Sequence, residues 1–214
     1  MTVSPYALDD SAVVWSHPPA QREGRPLVIL MHGRGSHERD LTSLIPMLPG
    51  GAVFASLRAP LPFESGDGWE WFASTTPGAP ALDEANAVTD ALIEWCDRFV
   101  SSSAPALVGF SQGGAMATHA MRRAPERFSR YVSLAGFVVP GRLDTDAALQ
   151  QLKPPVFWGR DEADPVIPTE AVERTAEWLP VHSSLVERTY PGIGHSISRE
   201  EMADVAEFLA PVLD

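Results

Sequence analysis

The sequence predicts an α/β fold with a mostly parallel central sheet and helices on both faces. Short apolar runs rich in β-branched residues alternate along the chain with longer segments of helical period, a pattern typical of β–α–β units. The length of 214 residues with 44% hydrophobic content is enough to bury one core but too short for two average domains. We therefore predict one domain over residues 1–214, without a large lid domain.

Seven apolar runs bounded by turn residues are predicted to be strands. In chain order they span residues 12–15, 27–31, 52–57, 106–110, 131–134, 156–158 and 185–189. Segments of helical period lie between them, and the predicted helices span residues 37–48, 83–100, 112–124, 169–178 and 199–212. Pro125, Pro168 and Pro180 fall near the predicted helix ends, as expected for a residue that cannot donate a backbone hydrogen bond.

Charge and composition exclude several classes of function. The net charge of −12 argues against binding to nucleic acids or anionic membranes, because either would need a basic surface. The N-terminus lacks a signal peptide pattern, and no run approaches the ~20 apolar residues needed to span a bilayer. We therefore expect a cytoplasmic protein without membrane insertion, and the sequence leaves a homodimer open. The lone Cys96 excludes an intrachain disulfide and a zinc cluster of thiolates, so no metal is expected.

Ser111 is the leading candidate for a catalytic nucleophile. It lies in a G-x-S-x-G motif between a predicted strand and a predicted helix, in the run Gly109-Phe110-Ser111-Gln112-Gly113-Gly114. A serine hydroxyl is a weak nucleophile, so it has to be exposed at a sharp strand-to-helix turn beside a base and oxyanion donors. Because the motif also arises by chance, its meaning depends on the other groups in the chain.

His195 is the candidate general base. It follows the last predicted strand and is flanked by glycines, so its imidazole can reach the serine and carry a proton at neutral pH. His119 lies within the helix that follows Ser111, and His182 enters the last strand from its opposite end. We interpret both as ordinary surface or core residues.

The acid that orients His195 is expected after the strand at residues 156–158. Asp164 is our choice, because Pro165 fixes the backbone there and favours an extended conformation at the preceding residue. Asp161 is the alternative, although an aspartate soon after a glycine also suits a turn or a surface cap. On residue chemistry alone both carboxylates stay open.

Two backbone amides are expected to form an oxyanion hole. The first is that of Gln112, directly after the candidate nucleophile. The second is expected after the strand at residues 27–31, where Arg34 is the predicted donor and Gly35 the alternative. This glycine-containing turn lacks the P-loop lysine and the dinucleotide G-x-G-x-x-G pattern, so no nucleotide cofactor is expected.

Two connections, residues 58–82 and 135–150, exceed the usual loop length and are expected to serve a site. The aromatic side chains of the first either wall an apolar pocket or plug the core. Our candidate substrate-binding residues are Trp69, Trp71, Phe137 and Val166.

Together these segments resemble the phospholipase/carboxylesterase family of α/β-hydrolases, which includes bacterial carboxylesterases and acyl-protein thioesterases. The resemblance spans nearly the whole chain and rests on His32-Gly33-Arg34-Gly35, the Ser111 motif, Ala135-Gly136-Phe137, Asp164-Pro165-Val166-Ile167-Pro168 and Gly194-His195. It implies an α/β-hydrolase fold, a triad of Ser111, Asp164 and His195, and an oxyanion hole formed by the amides of Arg34 and Gln112. It thereby favours Asp164 over Asp161.

The chain departs from this family at two positions that bear on the substrate. Many relatives carry an aspartate after the aromatic pair of the long loop, where this chain has Ala73. Arg34 replaces an apolar residue of the thioesterase branch, and its side chain either pairs with an acidic substrate group or faces solvent. Dienelactone hydrolases resemble the same fold but normally use a cysteine nucleophile. The candidate nucleophile here is Ser111, which argues against that branch.

The sequence therefore predicts a cofactor-independent serine hydrolase that cleaves small carboxylic esters with short or medium acyl chains. A thioesterase or a lysophospholipase would use the same groups, and an acyltransferase or perhydrolase would differ only in the final acceptor. An alternative of a different class is a non-catalytic ligand-binding module that keeps the fold.

Overall fold

The computed structural model describes residues 4–73, 75–99 and 104–213 of the chain. Its main sheet has seven strands, and a separate hairpin has two. In chain order the strands are β1 (Val14–Trp15), β2 (Leu27–Met31), β3 (Val53–Leu57), β4 (Leu61–Pro62), β5 (Trp69–Glu70), β6 (Ala106–Phe110), β7 (Arg130–Leu134), β8 (Pro155–Arg160) and β9 (Ser184–Thr189).

The main sheet has the strand order β1-β3-β2-β6-β7-β8-β9, and β4 pairs with β5 in the hairpin. Only β1 runs antiparallel to its neighbour within the main sheet as described. Because parallel neighbours end at the same edge, the loops after β2, β6, β8 and β9 meet there. The predicted mostly parallel sheet is confirmed.

Five α-helices complete the described part of the chain. They are α1 (Leu82–Phe99), α2 (Gln112–Arg123), α3 (Asp146–Leu152), α4 (Thr169–His182) and α5 (Arg199–Leu213). Helices α1, α2 and α4 contribute Leu92, Met116 and Leu179 to one hydrophobic core, whereas α5 contributes Leu209 to a second core. The helices thus cover both faces of the sheet, as predicted.

Strand β2 shows why its residues must be apolar throughout. Leu27, Ile29 and Met31 belong to the first core, and Val28 and Leu30 belong to the second. Successive side chains of a strand point to opposite faces, so a strand with both faces covered favours apolar side chains at every position. The strand predicted at residues 27–31 is confirmed, with the same bounds.

The helix predicted at residues 37–48 is wrong in type and length. The structure has a 3-10 helix, Leu41–Met47, in its place. Pro46 lies inside it. The hydroxyl groups of Thr42 and Ser43 donate to backbone carbonyl oxygens three residues earlier. Such local bonds compete with the α-helical pattern, and proline removes one of its amide donors.

Both long connections contain structure that the sequence did not predict. Residues 58–82 include the hairpin of β4 and β5, and residues 135–150 include most of α3. Helix α4 also continues through Pro180 to His182, four residues beyond its predicted end. The last residue of the helix predicted at 83–100, Val100, lies outside the described residues.

No helix within the described ranges is both long enough and apolar enough to cross a membrane.

Arg122 of α2 is a fully buried cation that ties α3 and the segment before it to α2. Its Nε and Nη2 atoms each donate to the Asp146 carboxylate at 2.8 Å. The same guanidinium donates to the carbonyl oxygens of Val139 at 2.7 Å and Gly141 at 2.8 Å. Because the side chain of Arg122 is 0% exposed, these bonds replace all of its hydration. The short helix α3 is therefore held by a tertiary contact.

We predict that Asp146→Ala lowers the free energy of unfolding by about 3 kcal/mol or more, because it leaves a buried guanidinium without its counter-charge. The matched control is Asp90→Ala. Asp90 pairs with the neighbouring Arg123, whose side chain is 32% exposed, and an exposed pair of this kind contributes at most about 1 kcal/mol. Urea unfolding of both variants measures the difference, and equal effects would contradict the structural role of Arg122.

Candidate active site

Ser111 occupies a strained turn between β6 and α2. Its φ of 55° and ψ of −115° lie outside the regions that non-glycine residues favour. The Ser111 amide donates to the Leu134 carbonyl at 2.8 Å, and the Ser111 carbonyl accepts from the Ala115 amide at 3.0 Å. These bonds hold the strained residue at the carboxyl end of the strand, as expected for a nucleophile on a sharp turn.

Two glycines permit this turn. A Cβ atom on Gly109 would lie 2.0 Å from the Gly113 carbonyl oxygen, and one on Gly113 would lie 2.0 Å from the Met31 carbonyl oxygen. Contacts this short exclude every other residue without a backbone shift. The glycines of the motif are therefore required by the packing of the turn against the end of β2.

A chain of hydrogen bonds joins Ser111, His195 and Asp164. The Ser111 Oγ atom lies 3.0 Å from His195 Nε2, and His195 Nδ1 lies 2.7 Å from Asp164 Oδ2. The Phe110 ring packs 4.8 Å from the imidazole, measured between centroids. The Asp164 side chain is 4% exposed and that of His195 is 16% exposed. A carboxylate in this position fixes the tautomer of the imidazole, so that Nε2 is free to accept the serine proton.

The two candidate carboxylates after β8 have different contacts. Asp164 uses its Oδ1 atom to accept from the amides of Val166 at 2.8 Å and Ile167 at 3.3 Å, which leaves Oδ2 for the histidine. Asp161 instead accepts from the amides of Ala163 at 2.9 Å and Gly194 at 2.7 Å. The structure thus brings Asp164 to His195, and it places Asp161 where it ties the loop before Asp164 to the loop before His195.

These amide bonds, first that of Ala163 and then that of Gly194, lower the pKa of Asp161. The carboxylate is therefore ionised at neutral pH and accepts strongly from both loops.

The turn after β2 lies directly beside Ser111. A Cβ atom on Gly33 would lie 3.5 Å from the Ser111 Cβ atom. The Gly35 amide donates to the Trp69 carbonyl at 2.9 Å and is therefore occupied. The amides of Arg34 and Gln112 have no acceptor among residues 4–73, 75–99 and 104–213. The geometry thus favours Arg34 over Gly35 as the available donor of this turn.

His32 stabilises the same turn as a neutral side chain. The Ala59 amide donates to its Nε2 atom at 3.1 Å, so the proton sits on Nδ1, which donates to the Gly33 carbonyl at 2.7 Å. Burial lowers the pKa of His32. The neutral form is therefore the one that the surrounding hydrogen bonds require.

The segment Trp69–Phe72 connects the turn after β2 to the start of α2. On one side, the Trp69 amide donates to the Ser36 carbonyl at 2.8 Å and the Trp71 indole donates to the His32 carbonyl at 2.8 Å. On the other side, the Gln112 side chain accepts from the Trp71 amide at 3.0 Å and donates to the Phe72 carbonyl at 2.9 Å. One segment therefore holds both backbone regions that carry the candidate oxyanion donors.

Sequence reasoning missed this role of the Gln112 side chain, because it considered only the amide of that residue. The only sequence signal for a structural role of this side chain was its position directly before two glycines. Its two hydrogen bonds to backbone groups form only when the long loop folds against α2.

The side chain of Arg34 forms an ion pair and is only partly exposed to solvent. Its Nε atom donates to Glu70 Oε2 at 2.8 Å, and its guanidinium lies 4.8 Å from the Phe63 ring centroid. The Arg34 side chain is 41% exposed and that of Glu70 is 7% exposed. The arginine thus anchors the turn to the hairpin, and part of the guanidinium still faces solvent.

The candidate substrate-binding residues fall into two groups. Trp71 is 0% exposed and Phe137 is 3% exposed, because both side chains fill the first hydrophobic core. This burial gives no support to substrate contact by these two side chains, which stays a prediction. Trp69 is half-buried with Arg58 over its ring, whereas Val166 is 53% exposed beside Asp164. Substrate contact by Trp69 and Val166 stays a prediction.

The other two histidines that follow Ser111 in the sequence, His119 and His182, lie outside this arrangement. His119 is 0% exposed and bonds Asn86 Oδ1 at 2.9 Å, and burial lowers its pKa to about 3. His182 stacks on Trp178 with a centroid distance of 3.9 Å. Both are packing residues, as the sequence indicated.

A buried carboxyl group lies at the start of the helix that follows the His195 loop, against Gly159 of β8. Glu201, in the first turn of α5, is 1% exposed, and neither of its carboxyl oxygens has a partner within the described residues. Its Oε1 atom fills the space that a Cβ atom on Gly159 would need. Burial, reinforced by the charge of Asp204, raises the pKa of Glu201 to about 7. The carboxyl group is therefore largely protonated below neutrality.

Comparisons with known proteins show similarity to one family of enzymes. A family model described as Phospholipase/Carboxylesterase matches residues 11–213. Acyl-protein thioesterase 1 of Kluyveromyces lactis is 30% identical over 125 residues, which are 56% of this chain and 55% of that protein. Acyl-protein thioesterase 1 of Neurospora crassa is 27% identical over 183 residues, covering 78% and 71%. The chain spans about half the length of most of the thioesterases that it matches.

Among solved structures, the carboxylesterase of Mesorhizobium loti is similar in fold. Its TM-score is 0.76 at 23% sequence identity, with 89% of this chain and 91% of that chain covered.

We predict that Glu201→Gln is more stabilising at pH 8 than at pH 5. Because the folded pKa is raised from 4.5 to about 7, the folded state binds more protons than the unfolded state between these values. The stability of the unsubstituted protein therefore falls as the pH rises through this window. The advantage of the variant grows by about 2–3 kcal/mol between pH 5 and pH 8.

Urea unfolding at both pH values measures this change. The control is Glu200→Gln at the adjacent exposed position, which leaves the pH dependence unaltered. A Glu201→Gln profile parallel to that of the unsubstituted protein would contradict the buried acid.

Proposed function

Because the chain belongs to the phospholipase/carboxylesterase family, we propose that it is a serine hydrolase that cleaves small carboxylic esters through an acyl-enzyme. The observation that carries the proposal is the hydrogen-bonded chain from Ser111 through His195 to Asp164, with distances of 3.0 Å and 2.7 Å. Nucleophile, base and orienting acid need this arrangement for acyl transfer.

In the proposed mechanism, Ser111 Oγ attacks the ester carbonyl while His195 Nε2 takes its proton. The imidazolium that forms is stabilised by the Asp164 carboxylate, which keeps its own charge. The tetrahedral intermediate then expels the alcohol, which takes the proton from His195. Water attacks the acyl-enzyme with His195 again as base, and this step releases the acid and restores Ser111.

We propose that the amides of Arg34 and Gln112 bind the oxyanion of both tetrahedral intermediates. Support comes from their lack of acceptors in the described residues, and from the bond that occupies the Gly35 amide. Donors fixed before reaction stabilise developing charge without reorganisation. The Trp69–Phe72 segment fixes these two donors through the Gln112 side chain and the Trp69 backbone.

The proposed substrates are esters with short or medium acyl chains. The similar proteins of Kluyveromyces and Neurospora bear the name acyl-protein thioesterase, which supports a thioester as the second candidate. The same groups would cleave either bond, because both reactions pass through an acyl-serine and an oxyanion. A panel of p-nitrophenyl esters and matched thioesters of increasing acyl length separates the two candidates.

We predict that a fluorophosphonate probe labels one site in the folded protein, and that peptide mapping places the label on Ser111. The hydroxyl bonded to His195 is activated for attack on phosphorus as on carbon. Ser111→Ala is expected to lose the label while unfolding at the same temperature within a few degrees. Absence of label from the folded, unsubstituted protein would remove the hydrolase proposal and favour a ligand-binding module.

We predict that Asp164→Asn lowers kcat by about 1000-fold or more, because the amide no longer holds the required imidazole tautomer. Asp161→Asn keeps a carbonyl acceptor for a loop amide, so we expect this substitution to lower kcat by about tenfold or less. Steady-state kinetics on one p-nitrophenyl ester compares the two. Similar mild effects of both substitutions would exclude Asp164 from the triad.

A further inference from the structure

A cleft of about 210 Å³ opens beside His195, between the loop that carries this residue and the segment of residues 40–44. We call it the His195 cleft. Its walls include Leu41, Leu44, Phe110, His195 and Ile197, with Asp40 as a charged lining residue. The site residues account for His195 and Phe110, but nothing in the proposed mechanism yet uses the other walls.

We propose that the His195 cleft binds the alcohol part of the ester, and that Leu44 and Asp40 set the preference for that alcohol. This inference rests on the proposed ester hydrolysis and adds a subsite to it. The alcohol is neutral or cationic and about the size of a six-membered ring.

The position of the cleft follows from the direction of proton transfer. When the tetrahedral intermediate collapses, the bond between the carbonyl carbon and the alcohol oxygen breaks, and its electron pair passes to that oxygen. The oxygen takes the proton from His195 Nε2, while the bond from the acyl carbon to Ser111 Oγ remains. The leaving oxygen must therefore lie within hydrogen-bond reach of His195. Because His195 is one wall of the cleft, we assign the cleft to the alcohol side of the reacting carbon.

The remaining substituents of the intermediate point elsewhere. The oxyanion faces the amides of Arg34 and Gln112, and the turn that carries Arg34 lies against Ser111. The acyl group occupies the fourth direction, away from both the oxyanion donors and the histidine. The His195 cleft is thus matched to the alcohol and not to the acyl chain.

Size and polarity define the chemical class of the alcohol. An apolar cavity of about 150 Å³ accommodates benzene, so the His195 cleft has room for a ring-sized group. Leu41, Leu44, Phe110 and Ile197 offer apolar contact surface. Asp40 is exposed, and its Oδ2 atom accepts from Ser36 Oγ at 2.7 Å. Its charge disfavours anionic alcohols and favours cationic ones.

The size preference is tested with Leu44→Trp, which fills part of the cleft. One substrate series keeps acetate and varies the alcohol from methanol to benzyl alcohol, and the other keeps methanol and varies the acyl chain. We expect kcat/KM for benzyl acetate to fall by about tenfold or more relative to methyl acetate. The acyl series is expected to keep its order. The control Leu152→Trp, at an exposed leucine on α3, leaves both series unchanged.

The measured quantity is kcat/KM, because it includes expulsion of the alcohol, whereas deacylation proceeds from a common acetyl-enzyme. Leu44→Ala serves as a second variant that enlarges the cleft, and it is tested with the alcohol series extended to 2-naphthylmethanol. It is expected to raise kcat/KM for the naphthylmethyl ester relative to benzyl acetate. An effect of either variant on the acyl series alone, or on neither series, would overturn the subsite.

The charge preference is tested with two substrates of the same shape. Acetylcholine carries a trimethylammonium group where 3,3-dimethylbutyl acetate carries a neutral tert-butyl group. Asp40→Asn keeps an acceptor for Ser36 and is expected to lower the ratio of their kcat/KM values by about two- to fivefold. An unchanged ratio would remove Asp40 from the subsite.

Fluorophosphonate labelling of Ser111 in each variant separates this proposal from the one on which it rests. If the unsubstituted protein is not labelled and turns over no ester, the proposed function fails. If labelling and methyl acetate turnover persist while the alcohol preference does not respond to Leu44, only the subsite fails.

Discussion

The close backbone contact between the nucleophile turn and the end of β2 is the constraint on which the rest of the site depends. A Cβ atom on Gly113 would lie 2.0 Å from the Met31 carbonyl oxygen, so the first turn of α2 can pack there only as glycine. This contact fixes where α2 starts and how Ser111 faces the sheet edge. The turn after β2 then lies against the serine, because β2 and β6 are adjacent parallel strands.

The hairpin and the Trp69–Phe72 segment stabilise this arrangement from outside the sheet. The segment bonds the turn after β2 through backbone amides and bonds α2 through the Gln112 side chain. Buried aromatic side chains anchor this segment, with Trp71 0% and Phe72 1% exposed. Rigid support of this kind keeps backbone donors in place, which matters because misplaced donors lose most of their effect on a reacting group.

Charged side chains below and beside the site have distinct structural roles. Asp161 accepts amides from both loops that lead to Asp164 and His195, so it sets the spacing of those loops without contacting the imidazole. Glu201 carries a buried carboxyl group without partners in the described residues, and this group packs against Gly159 of β8. Such a group favours the protonated form and makes the stability of this region depend on pH near neutrality. Charges near the site thus control loop position and stability.

The sequence by itself determined the parallel sheet, the strand-to-helix turn at Ser111 and the order in which serine, acid and histidine occur. These features depend on apolar runs and on glycine positions, which local chemistry makes readable. The sequence preferred Asp164 to Asp161 through Pro165 and the family resemblance, but only the tertiary structure shows that Asp164 contacts His195 whereas Asp161 accepts from loop amides. The tertiary structure likewise placed Trp71 in the core and formed α3 on the buried Arg122. Such outcomes depend on contacts between distant parts of the chain, which a local sequence pattern does not predict.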